Sequence, residues 1–100
     1  MARERRFHPQ FATDLISATS YFKDISDSLV QRFQSAVADR FEAISDRADS
    51  FGSVDGEFRG CMLLQFPYLI LFRIEKEFVV LIGLFHVASD RSGWFCRVNE

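Results

Sequence analysis

Three side chains have the chemistry to act on a phosphodiester: His86, Arg59 and Arg73. Acid–base chemistry on a phosphate ester needs a proton acceptor, a donor to the leaving oxygen and cations on the phosphate. His86 could be the acid/base, Arg59 and Arg73 could clamp the phosphate, and Arg91 could assist. Each also has a plain structural reading. A single histidine closing an apolar run is more often a hydrogen-bonded scaffold residue. Arg73 can pair with Glu75 or Glu77, and Tyr68, after Pro67, can pack with its hydroxyl at a rim. Whether Arg59, Arg73 and His86 share a face depends on hairpin registers that the sequence leaves open. No metal-ligand spacing, phosphate-cradling glycine loop or Ser/His/Asp set occurs, so neither metal nor cofactor is expected.

Composition narrows the class. The 100 residues suffice for one domain, and 48% apolar residues with 12 Phe supply a core and exclude a disordered chain. A net charge of −2 argues against a protein whose main task is gripping nucleic acid. Cys61 and Cys96 are too few and too far apart for a disulfide scaffold or a zinc site, which reads as reduced thiols in a cytoplasm. Basic Met1–Arg6 runs into His8-Pro9-Gln10 and not into an apolar segment, so no secretory signal is read there. Arg73, Glu75, Lys76 and Glu77 interrupt the most apolar stretch and rule out a membrane span through it. The expectation is a soluble cytoplasmic protein.

The elements that must position these side chains are organised around residues 66–86. Two apolar runs, Tyr68–Ile74 and Phe78–Phe85, flank the charged triplet Glu75-Lys76-Glu77, which predicts an antiparallel hairpin with its tip in water. The second run is apolar at both parities: Phe78, Val80, Ile82 and Leu84 on one face, Val79, Leu81 and Phe85 on the other. A strand of that kind is covered on both sides. Helices can supply one cover; the chain's own tail or another protein must supply the second.

The rest of the chain provides those helices. Phe11, Leu15, Ala18 and Phe22 form the stripe of a helix over 9–23, with Pro9 at its first position. Ser26 or Ser28 can cap a second helix over 27–48, striped by Leu29, Phe33, Val37, Phe41 and Ile44. So short a link makes the two an antiparallel hairpin. Asp39, Arg40, Glu42, Asp46, Arg47 and Asp49 read as its solvated face. Arg3–Phe7 has room for an edge strand at most, and Asp49–Gly56 reads as a loop. Strands are expected over 58–66, 68–75 and 77–87, with Trp94 and Phe95 available to pack back on the sheet. The predicted fold class is α+β: one domain over 1–100, an N-terminal helical hairpin on a curved antiparallel sheet of three to four strands.

These pieces, in this order, resemble the ParE, or plasmid stabilisation, branch of the RelE/ParE superfamily, small toxins of bacterial type II toxin–antitoxin modules. Pro9, Ala12, Asp14 and Leu15 resemble the opening of its first helix, with the acid one place closer, and Leu29, Arg32 and Phe33 its second-helix pattern. Arg59, Phe66-Pro67-Tyr68 and Phe72-Arg73 resemble its Arg…Phe-Pro-Tyr…aromatic-Arg hairpin, and His86, Asp90 and Trp94 its tail. The resemblance spans Phe7 to Trp94. Two places depart: Gly60 stands where an arginine is usual, and Val87-Ala88-Ser89 precede Asp90-Arg91 where the pattern has a basic loop.

The resemblance implies a toxin neutralised by a cognate ParD-like antitoxin in a hetero-oligomeric complex. It implies action by binding and poisoning DNA gyrase, with the segment from His86 onward important to the contact. Such a mechanism needs no complete catalytic set, and none is found, so the chain reads as an inhibitor before an enzyme. Arg59, Tyr68, Arg73, His86, Arg91 and Trp94 are then the candidates for target or antitoxin binding. Two alternatives stand: a RelE-like ribosome-dependent mRNA endonuclease using Arg59, Arg73 and His86, or a degenerate non-toxic interaction module with the same fold.

Overall fold

Tyr68–Glu75 and Phe78–His86 pair antiparallel and turn through Lys76-Glu77. Lys76 takes a left-handed φ of 51° there, without glycine's freedom. The structure is a computed structural model that describes residues 2–97. Its elements in chain order are β1 (Glu4–Phe7), α1 (Phe11–Lys23), α2 (Asp27–Arg47), a 3₁₀ turn (Ala48–Ser50), β2 (Ser53–Asp55), β3 (Phe58–Met62), β4 (Tyr68–Glu75), β5 (Phe78–His86) and α3 (Arg91–Cys96).

The class is α+β, a helical hairpin on a sheet, but the sheet has five strands in the order β1-β5-β4-β3-β2. It is mixed, because β1 lies parallel to β5, with Glu4 beside Phe78 and Phe7 beside Leu81. Backbone bonds from the Glu4 N–H to the Glu77 carbonyl and from the His8 N–H to the Leu81 carbonyl anchor that edge. The segment read as a loop contains β2, which pairs Ser53 with Arg59. A three-residue strand with Val54 as its one apolar residue is too short to show a period. Expected to run to residue 66, β3 stops at Met62. The Leu63 N–H already bonds to the Tyr68 carbonyl, Gln65 takes a φ of 68°, and Pro67 has no N–H to offer.

The helices form where the stripes place them. His8 supplies the start of α1: its carbonyl accepts from the Phe11 N–H and its Nδ1 from the Gln10 N–H at 3.1 Å. Pro9 therefore lies just outside the helix. Ser26 caps α2, its Oγ accepting the Leu29 N–H at 3.1 Å. Phe11, Ala18 and Phe22 of α1 and Phe33, Val37 and Ile44 of α2 bury against Ile70 and Phe72 of β4 and Val79, Leu81 and Leu84 of β5. Phe33, Ile44, Ile70 and Phe72 are wholly inaccessible; each contributes roughly 1.5–3 kcal/mol by leaving water.

The other sheet face is closed by α3. Leu71, Ile82 and Trp94 form its buried centre, with Phe58, Leu69, Val80, Phe85 and Phe95 around it. Both faces of β5 are thus covered, and the chain's own tail is the second cover. The faces are not those of simple alternation, however. Leu71 pairs with Gly83 and Phe72 with Leu81, so Ile82 is an extra residue, a β-bulge. Beyond it the parity switches: Leu84 joins Val79 and Leu81 on the helix side, and Phe85 joins Val80 and Ile82 under α3.

Candidate functional site

The three candidate catalytic residues do not converge. Arg59 pairs across β3–β4 with Phe72, and His86 across β4–β5 with Tyr68. Both lie on the helix side, but their partners are four residues apart along β4, a separation of about 13 Å at ~3.3 Å per residue. Arg73 pairs with Phe58 and lies on the opposite face.

Each is also engaged. Arg59 Nη1 donates to the Phe51 carbonyl at 2.6 Å and the Asp49 carbonyl at 3.3 Å, tying the end of the helical hairpin to β3. Arg73 Nε donates to Glu75 Oε1 at 2.7 Å. His86 Nδ1 accepts the Ala88 N–H at 3.0 Å, which engages that ring nitrogen in the turn after β5. An acid/base and two free phosphate cations in one place is not what this geometry provides.

What it does provide is a cleft. Tyr21, Phe22, Pro67, Tyr68 and His86 line about 360 Å³ between the end of α1 and the start of the β4–β5 hairpin. The His86 and Tyr68 rings meet edge to face at 5.2 Å, and burial pushes the Tyr68 hydroxyl pKa up. A second, more open cleft of about 550 Å³ lies across the Leu63–Pro67 connection, walled by Arg32, Ala36, Leu64 and Phe66 among others. Exposed apolar side chains gather around this end: Tyr21, Ile25, Met62, Leu64 and Val87, with Leu64 59% and Tyr21 60% accessible. Val87 belongs there because its N–H bonds to the Pro67 carbonyl. Rings with a polar tip beside exposed aliphatic groups suit contact with another protein. Neither Tyr21 nor Leu64 stands out in the sequence, since only the fold brings the α1 terminus beside the β3–β4 connection.

The two remaining candidates belong to the opposite face. Trp94 is 2% exposed, stacked on Phe85 with ring centroids 5.0 Å apart, and its Nε1–H donates to Ser89 Oγ at 2.8 Å. Arg91 lies 5.5 Å from the Trp94 ring centre on the solvent side. Asp90 caps α3 through the Ser92 N–H, and bonds from Ser92 lower its carboxyl pKa.

Of the charged face read as solvated, Arg40 is an exception. It bonds to Asp39 at 2.7 Å with its side chain only 15% exposed. That bond raises the guanidinium pKa, while burial pushes up the thiol of neighbouring Cys61 and the Arg40 charge opposes it. Gly60, the departure in the hairpin, also has a local cause: a Cβ there would lie 2.6 Å from Val54 Cγ2 and 2.9 Å from Leu69 Cδ1. The seating of β2 leaves no room for an arginine at that position.

No protein-family model matches the sequence, and no curated protein matches it. Among solved structures, the chain is similar to a chain of the chromosomal ParDE TA system from P. aeruginosa, at a TM-score of 0.73 and 11% identity. The similarity covers 85% of this chain and 96% of the other. The helical hairpin laid on a strongly paired sheet is therefore the fold of a ParDE-system chain. Among the described residues no helix is long and apolar enough to cross a membrane, and no group of three or more His, Cys, Asp or Glu could hold a metal ion.

Proposed function

We propose that this chain is the toxin of a type II toxin–antitoxin module, neutralised by a ParD-like antitoxin and acting by binding DNA gyrase. The observation that carries the proposal is the fold held in common with a ParDE-system chain over 96% of that chain's length. The separation of Arg59, Arg73 and His86 supports a binding mechanism over a nucleolytic one. In this reading the aromatic cleft and its apolar rim make protein contacts through Tyr21, Tyr68 and His86, and Arg91 presents a cation on the tail.

Induced expression of the chain, alone and with the reading frame beside it, tests the proposal. Growth arrest relieved by the neighbouring frame is expected, with double-strand DNA breaks and filamentation. Transcripts cut at ribosomal A-site codons, and no longer cut when His86 or Arg59 is replaced by Ala, would point to the endonuclease reading. Unimpaired growth would point to the non-toxic module.

A further inference from the structure

Among the described residues, one ion pair fastens the tail to the first helix. Arg97 Nη1 donates to Asp14 Oδ2 at 2.5 Å and Nη2 to Oδ1 at 3.2 Å, a two-pronged contact across 83 positions of sequence. Both side chains are largely removed from water, at 14% and 16% exposure. The same two groups satisfy the edge of β5 beyond the end of β1. Asp14 Oδ2 accepts the Leu84 N–H at 3.1 Å, and Arg97 Nη1 also donates to the Ile82 carbonyl at 3.3 Å. The guanidinium lies over the Phe85 ring at 4.8 Å, in space left by Gly83, where a Cβ would come within 2.7 Å of Nη1.

What lies between this pair and the end of β5 has little hold of its own. A six-residue helix with Gly93 inside it is far below the length at which helices persist in water. Its order depends on Trp94 against Phe85, Phe95 against Phe58 at 5.7 Å, and the Asp14–Arg97 pair. The connection over 87–90 is exposed along its length. By contrast, β4 beneath is paired with a strand on each side over most of its length, and β5 is so paired over Phe78–Leu81.

We propose that residues 91–97 are a flap closed over the second face of the sheet, with Asp14–Arg97 as its clasp, and that the flap opens as a unit while the sheet stays folded. Open, it bares an apolar strip made by Leu71, Val80, Ile82 and Phe85; closed, it is the chain's own occupant of that surface. The proposal concerns the isolated chain and does not depend on toxicity.

Amide hydrogen exchange on the full wild-type chain tests it, with acrylamide quenching of Trp94, the single tryptophan, as an independent readout. The amides of Phe95, Cys96 and Arg97 should exchange at least about tenfold faster than those of Ile70 and Leu71, through an opening that denaturant accelerates, but less steeply than it accelerates exchange at Ile70 and Leu71. Arg97→Gln should raise exchange in 91–97 by about a further tenfold and increase Trp94 quenching, leaving β4 unchanged. Arg97→Lys, which keeps the charge but loses the fork, should fall between. Exchange of 91–97 at the β4 rate in the wild-type chain would overturn the proposal without recourse to any variant. So would an Arg97→Gln chain with unaltered exchange in 91–97, or one in which α3 and β4 accelerate by the same factor.

Discussion

At the scale of single residues, the molecule places its unusual groups where packing and not chemistry explains them. Burial raises the Cys61 thiol above its ordinary value of 9.0, and burial likewise raises Tyr68 above 10.0. Both groups titrate to anions, so a raised folded pKa means stability intact below the unfolded value and lost as pH climbs past it. Urea midpoints should therefore be flat from pH 7 to 8 and fall above about pH 9. Cys61→Ser, which removes one of the two groups, should flatten the fall in part. In the native protein a thiol reagent should modify exposed Cys96 and spare Cys61. Lys76 gives a second residue-level expectation: its left-handed φ should make Lys76→Gly stabilising, by roughly 0.5–1 kcal/mol in urea unfolding. Arg59, Arg73 and His86 were legible as residue types but not as a site. Strand pairing decides their faces, and a hairpin without an Asn-Gly or Asp-Gly turn does not announce its register.

Among the elements, the helices were the most legible. Spacings of three and four between bulky apolar residues survive without knowledge of what they pack against, and Ser26 and Ser28 both offer a cap, of which the fold uses Ser26. Ser26→Ala should lower stability by about 1 kcal/mol, with the loss visible in the unfolding midpoint and no change in the native far-UV spectrum. The strands were legible in number only for the long ones. Glu4–Phe7 alternates charge with charge, so nothing in it says that its neighbour is the last strand of the sheet. The Ile82 bulge was hidden for a different reason: a run of eight apolar and small residues reads the same at either parity. Its consequence can be measured. Leu84→Ala opens a cavity beside α1 and α2 and should cost about 2–5 kcal/mol, whereas alternation alone would place Leu84 beneath Trp94. Truncating Leu84 should thus leave Trp94 emission in the native state unchanged.

At the level of the whole molecule, two apolar sheet faces demanded two covers, and the chain supplies both, the helical hairpin on one side and its tail on the other. Most of the large apolar side chains left exposed lie at the Leu63–Pro67 end, around the aromatic cleft, with Phe7 and Ile16 exposed elsewhere. If that end carries the protein contact of the proposed toxin, Tyr21→Ala and Leu64→Ser should weaken antitoxin binding tenfold or more while shifting stability by less than about 0.5 kcal/mol. Isothermal titration with the co-expressed partner would show it; full-strength binding by both variants would move the interface elsewhere.

The parallel seat of β1 beside β5 also bears on how the protein is made. Residues 4–7 leave the ribosome well before their neighbours, residues 78–81, which follow some seventy positions later. A nascent chain arrested before that point can zip up its helical hairpin but has nowhere to lay its leading segment. Synthesis must pass residue 81 before β1 can take its seat, so a chain broken short of that point lacks this edge of the sheet.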